Sequence, residues 1–244
     1  MNRRDLLSGL ISGVGVSLLY SELSFGDEQD RKDSEGQNKQ KDQTEQKELK
    51  TIYLTIDDGP GKHLESILQN LKNGKATFFL VGRAMENLEG YSLVRKALEA
   101  GHQLGNHSYS HPFFSRLSLD KAKSEIEKTD LLLEKVYREA GKINPKLFRF
   151  PFGDNGCMGC KRKNEHKREI NSLLENLGYS AYSWNLDGED WKYGRGKTVE
   201  SILGKLMMIK SGDIILTHEN VITARYIVPY LVSSGKYDLK VLEK

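Results

Sequence analysis

The sequence predicts an α/β fold built on a parallel sheet. From Thr51 onward, short apolar runs alternate with helix-period segments, the order that parallel strands and crossover helices produce. Several runs, Thr77-Phe78-Phe79-Leu80-Val81 above all, are apolar almost without interruption, as suits strands covered on both faces. The unusual polar residues fall just after these runs, at the strand ends where parallel α/β folds bind ligands.

Seven strands are expected, at 52–56, 76–81, 102–105, 147–150, 180–184, 213–216 and 237–241. Helices are expected near 63–72, 92–100, 119–140, 165–177, 199–210 and 222–231. In the long one, Ile126, Leu133 and Val136 recur at helical spacing with charges between them. Ser118 and Asp120 mark its start, and Gly141 its end. An open doubly wound sheet and a barrel both satisfy this pattern, and no internal repeat points to a solenoid.

The chain has 244 residues, with 37 Lys+Arg against 34 Asp+Glu, a net +3. That balance, without a basic stripe, argues against nucleic acid. Hydrophobic residues make up 37%, but the deficit is local: residues 27–50 hold 14 charged side chains and one aliphatic, Leu49. Such a segment buries too little surface to offset its ordering entropy, so a disordered charged linker is expected there. Before it, Arg3-Arg4-Asp5-Leu6-Leu7 and an apolar run to Tyr20 fit an export signal over residues 1–26 and resemble a twin-arginine leader. The run is short of the ~20 residues of a membrane span. Residues 51–244, at +5, are long enough for one catalytic domain with its own core. The chain is expected in the periplasm or cell envelope of a bacterium, as a monomer by default.

Asp57 and Asp58 follow the first strand. His107 and His111 follow the third, Arg149-Phe150-Pro151-Phe152 ends the fourth, Asp187, Asp190 and Trp191 follow the fifth, and His218 the sixth. Two histidines four apart share a helix face and can reach one ion. With a carboxylate from Asp58 they make a two-His, one-carboxylate set that leaves room for water and substrate. Adjacent carboxylates repel, and a cation bound by one relieves the strain. Asp57 is then free to accept a proton. A turn in which Asp57 and Asp58 bond local amides is the plainer alternative. His218 is either a satisfied strand-end residue or a general acid.

In order, Thr55-Ile56-Asp57-Asp58-Gly59-Pro60, His107-Ser108-Tyr109-Ser110-His111, Arg149-Phe150-Pro151-Phe152, Asp187-Gly188-Glu189-Asp190-Trp191 and Leu216-Thr217-His218 resemble the five motifs of the polysaccharide deacetylase family, carbohydrate esterase family 4 or NodB-like. The resemblance spans about residues 50–240. It implies a distorted (β/α)7 barrel and removal of acetyl groups from N-acetylglucosamine polymers or O-acetylated xylan. It implies one divalent metal, usually zinc, on Asp58, His107 and His111, with Asp57 as general base and His218 as general acid. Arg149 would orient Asp57, Asp190 would tune His218, Trp191 would wall the pocket, and the backbone N–H of Phe152 would face the oxyanion. Ile56 replaces the usual Phe, and Phe152 stands where many members carry Tyr. The expected substrate is an N-acetylated polysaccharide, peptidoglycan first on grounds of location and family. An O-acetylesterase and a non-catalytic sugar-binding protein are the rivals. Cys157 and Cys160 form a Cys-x-x-Cys that suits a disulfide in an exported protein, with a redox pair or half a metal site as alternatives.

Overall fold

The computed structural model describes residues 48–156 and 163–244. The export signal, residues 27–47 of the linker, and Cys157 and Cys160 lie outside the described residues.

The sheet is parallel throughout, with strand order β5-β4-β3-β2-β1-β7-β6. β1 (Lys50–Gly59) is its centre and is paired along its whole length: β8 (Tyr237–Lys240) runs beside Lys50–Tyr53 and β7 (Ile214–His218) beside Tyr53–Asp57. β2 (Thr77–Leu80) covers its other edge, followed outward by β3 (Gln103–Asn106), β4 (Leu147–Phe148) and β5 (Ser180–Ala181). β6 (Leu186–Asp187) flanks β7. The curled sheet, wrapped by helices, is the distorted (β/α)7 barrel expected, with β5 and β6 as the two ends of the strand order.

Every expected strand is present, although the expected 147–150 and 180–184 strands stop at Phe148 and Ala181. β6 was not expected, because two residues are too short for any periodic pattern. Lys50, expected at the end of the linker, opens β1 instead. The helices are α1 (Leu64–Leu71), α2 (Leu88–Glu99), α3 (Leu119–Glu139), α4 (Lys163–Asn176), α5 (Val199–Leu206) and α6 (Val228–Ser233). The helix expected at 222–231 is divided: a π-helical turn, Thr223–Ile227, precedes α6, whose first turn holds Pro229.

Alternation along β1 sends Ile52, Leu54 and Ile56, all fully buried, into the main core under the helices. Thr55 and Asp57 therefore face the other way, beneath the site. Ile56, where the family's Phe would stand, is part of this core. α3 starts as its sequence suggests: the Ser118 side chain accepts from the Lys121 amide, and Ile126, Leu133 and Val136 are fully buried.

α3 also repairs the sheet. The buried Tyr137 hydroxyl accepts from the Leu104 amide (2.9 Å) and donates to the Leu104 carbonyl (3.0 Å) of β3. Tyr137→Phe leaves both groups buried and unpartnered. It is expected to lower unfolding stability by about 1–3 kcal/mol in urea melts, with little change of fold.

Candidate active site

The site is a cavity of about 500 Å³ lined by Asp57, Asp58, His107, His111 and His218 together with Phe152, Trp184 and Trp191. The ends of β1 and β7 and the loops after β3, β4, β5 and β6 deliver these residues. Asp58, Ser108, His111, Phe152 and Glu189 all adopt positive φ, between 57° and 73°. For non-glycine residues this conformation is uncommon, and its concentration in the site loops shows backbone bent to aim side chains inward.

His107 and His111 lie on an irregular loop and not on a helix; the expected shared helix face is replaced by two left-handed residues, Ser108 and His111. The convergence is real nonetheless. His111 Nε2 is 3.1 Å and His107 Nε2 3.5 Å from Asp58 Oδ1. The three groups offer ligand atoms all within 4.8 Å of one another, and they could hold one metal ion. The buried His107 ring donates from Nδ1 to the Arg149 carbonyl, 2.8 Å away, which fixes the ring and turns Nε2 toward Asp58. Burial works against charge on Asp58, yet the two imidazoles hold its carboxyl well below the usual carboxylate range. An ionised carboxylate and two imidazole nitrogens are a donor set that suits zinc and related divalent metals.

Residues without any motif signal hold this loop. Buried Asn106 accepts from the Ser108 amide (2.8 Å) and donates to the Ile126 carbonyl (2.9 Å). Glu125 of α3 accepts from the Tyr109 and Ser110 amides and the Ser110 hydroxyl. On the other side of the site, Glu219 accepts from the amides of Gly61 (2.7 Å), His63 (3.0 Å) and Leu64 (3.1 Å), fastening the loop that carries Asp58 to the segment after His218.

Asp57 and Arg149 are buried together, with Arg149 Nη1 3.0 Å from Asp57 Oδ1 and 2.6 Å from Thr55 Oγ1. The guanidinium also donates to the carbonyls of Tyr182 and Ser183, so its direction is fixed. Asp57 Oδ2 lies 3.8 Å from His107 Nε2.

His218 and Asp190 form the second pair, with Nδ1 3.0 Å from Oδ1. The buried Asp190 carboxylate further accepts at Oδ2 from the His218 amide (2.8 Å), the Thr223 hydroxyl (3.1 Å) and the Asn220 side-chain amide. Burial opposes charge on His218, but the Asp190 carboxylate on Nδ1, with Asp57 and Asp58 nearby, pushes its pKa up from 6.5 to about 9.

Phe152 is 51% exposed and stacks on Phe113, with ring centroids 4.0 Å apart, while His111 packs against it at 4.4 Å. Trp191 is 47% exposed, and its indole N–H points to Asp187 Oδ2 at 3.5 Å. All the residues expected at the site, apart from the two cysteines outside the described residues, meet at this cavity or directly support it.

The barrel thus brings an acid–arginine pair and an acid–histidine pair to either side of the Asp58, His107 and His111 cluster. Residues 44–182 match the polysaccharide deacetylase family, and the chain belongs to that family. The match holds the first three motifs; Asp190 and His218 lie beyond it.

The chain is similar to the peptidoglycan-N-acetylglucosamine deacetylase PgdA of Listeria monocytogenes, 32% identical over 174 residues, 70% of this chain and 32% of that protein. It is also similar to the peptidoglycan-N-acetylmuramic acid deacetylase PdaC of Bacillus subtilis, 33% identical over 184 residues, 73% of this chain and 34% of that protein. The chain thus spans about a third of the length of these two relatives. Among solved structures, it superposes on a family 4 carbohydrate esterase from Streptomyces lividans in complex with acetate, with a TM-score of 0.63 and 28% identity, covering 80% of this chain and 93% of that one.

Proposed function

We propose that this chain is a zinc-dependent hydrolase that removes N-acetyl groups from an N-acetylglucosamine-containing polysaccharide, peptidoglycan foremost, after export to the periplasm or cell envelope. The observation that carries the reading is the presence, on one cavity, of a carboxylate oriented by arginine and a histidine charged by aspartate, on either side of the Asp58, His107 and His111 donor set. A non-catalytic sugar-binding role would be favoured by loss of a ligand, the base or the acid, and none of these is missing. The kinship with peptidoglycan deacetylases supports the choice of polymer. The leader-like residues 1–26 and the charged linker support export, with the twin-arginine route as the proposed path.

Metal held by Asp58, His107 and His111 would polarise the acetamide carbonyl and acidify the attacking water. Asp57 accepts the proton of that water. Arg149 occupies Oδ1 and keeps the carboxylate aimed, leaving Oδ2 for the proton. The oxygen of the acetamide gains charge as water adds, and the backbone N–H of Phe152 is the donor assigned to it; such a donor contributes ~3 kcal/mol. The amine cannot leave as an anion. His218, with Nδ1 committed to Asp190, donates from Nε2 to the amine nitrogen as the C–N bond breaks. Acetate and the free amino sugar are the products. Trp184 and Trp191 shield the acetyl group from bulk water.

The raised pKa of His218 sets a pH dependence. A pKa near 9 keeps the acid protonated through neutrality, so turnover should fall only as pH rises through that value. Asp190→Asn removes the main cause of the rise. The alkaline limb of kcat is then expected to move down toward the ordinary imidazole value, so that activity at about pH 8 drops more than activity at about pH 6. The proposed function itself is tested by mass spectrometry of muropeptides after incubation of purified peptidoglycan with the zinc-loaded chain. Loss of acetyl from the glucosamine residues is expected. Intact acetylation of peptidoglycan and of chitin oligomers would overturn the reading.

A further inference from the structure

A row of side chains leads from the metal-binding cluster to a cation. His111 packs on Phe152 at 4.4 Å, Phe152 stacks on Phe113 at 4.0 Å with the planes 13° apart, and the Arg116 guanidinium lies 4.4 Å over Phe113. Phe152 is half exposed at the cavity wall, and Arg116 is exposed. Exposed aromatic rings offer the apolar faces of sugars a flat surface, and here Phe113, with Arg116 over it, backs the Phe152 ring and holds it in place.

Among the described residues no carboxylate is paired with Arg116; its contact is the stacking on Phe113. The other exposed aromatic of the cavity differs. Lys192 lies 4.9 Å over Trp191, but its ammonium is committed to Glu189 at 2.7 Å. Glu189 also holds Lys197 (3.1 Å) and Lys205 (3.2 Å), so the Lys192 ammonium is tied into an ion-pair cluster, although three lysines share that one carboxylate. The guanidinium beside Phe152 has no such ion-pair partner among the described residues. An exposed arginine fork stacked on a ring, with no carboxylate partner among the described residues, is suited to a planar carboxylate.

We propose that Phe113, Phe152 and Arg116 form a subsite for a sugar neighbouring the one that reacts, and that Arg116 selects glycans whose neighbouring sugar carries a carboxylate. The inference rests on the reading of the chain as a polysaccharide deacetylase and narrows its substrate. Two ring-to-ring steps and one ring-to-cation step, each of 4.0–4.4 Å, separate His111 from Arg116, a reach that an adjoining sugar with an acidic substituent can span. In peptidoglycan the carboxylate is that of the lactyl ether or of the peptide stem; in chitin there is none. Arg116 is thus a specificity residue and not a catalytic one.

Binding is measured by calorimetry with the full chain and three soluble glycans: a neutral chitin oligomer, a peptidoglycan glycan stripped of peptide so that the lactyl carboxylate is free, and one retaining its peptides. Arg116→Gln, an exposed substitution, should weaken binding of a carboxylate-bearing glycan about threefold to tenfold and leave the chitin oligomer unchanged. Added salt should weaken the wild-type complex and not the variant's. Phe113→Leu should weaken all three glycans. Whichever acidic glycan shows the Arg116 effect identifies the source of the carboxylate. Equal binding of all glycans to wild type and Arg116→Gln, an equal loss on chitin, or no binding of any glycan would overturn the proposal. Acetate release from the same samples reports separately on catalysis: binding with the expected Arg116 effect but no acetate would sink the deacetylase reading and leave the subsite standing.

Discussion

Asp57→Asn and His218→Ala are expected to leave metal binding intact and to cut deacetylation by ~10²–10⁴-fold each. The two losses should differ in kind. Asp57→Asn keeps the shape beside Arg149 but has no free carboxylate to take the water proton. An amide and an aryl acetate both need that water activated, so both reactions should suffer. His218→Ala removes the proton donor for the leaving group. An amine cannot depart without a proton, whereas a phenolate can. N-deacetylation should therefore fall much further than aryl acetate hydrolysis in this variant. The comparison is made at equal metal occupancy with both substrates. Equal losses for amide and ester in His218→Ala would refute the general-acid role and assign this histidine to structure or substrate binding.

The second large effect is at the metal-binding cluster. The wild-type chain is expected to hold about one equivalent of zinc after mild loading, and the double variant His107→Ala/His111→Ala none, by elemental analysis of the dialysed protein. Two of three ligand groups are gone, and Asp58 alone is half exposed and weakly binding. Activity on any N-acetylated glycan should fall to background. The fold should survive: His111 sits at the surface of the cavity, and the loop remains clasped by Asn106 and Glu125. Full zinc retention in the double variant would remove the proposed site and turn attention to Cys157 and Cys160. Zinc should also raise the thermal midpoint of the wild type and not of the variant, since a ligand that binds only the folded state stabilises it.

The sequence pattern exposes what repeats and hides what does not. The strands were most legible where short buried apolar runs mark them, as in β2 and β7, and the site was legible because its acids and histidines follow the strands. β6 was hidden because Leu186 and Asp187 are two residues without a period. The His-x-x-x-His spacing gave the right pair for an inexact reason: the imidazoles converge through a loop with two left-handed residues, a geometry that no spacing rule encodes. The supports were the least legible. Asn106, Glu125, Glu219 and Asn220 are ordinary polar residues in sequence and become significant only through the backbone and side-chain groups they bond. Glu219, next to His218, carries the one available clue, an acid at a strand end; its partners lie more than 150 positions away. The same distance in sequence separates Thr55 from the Ile215 carbonyl that its hydroxyl bonds.

The central claim is that the Asp58, His107 and His111 cluster, served by Asp57 and His218, hydrolyses an N-acetyl amide. The direct measurement is acetate release from a chitin oligomer by the full chain, first stripped with chelator, then reloaded with zinc, beside the double histidine variant treated alike. The account predicts release from the reloaded wild type, none from the stripped protein and none from the variant under either condition. Acetate released at the same rate before and after stripping, or by the double variant, would contradict it.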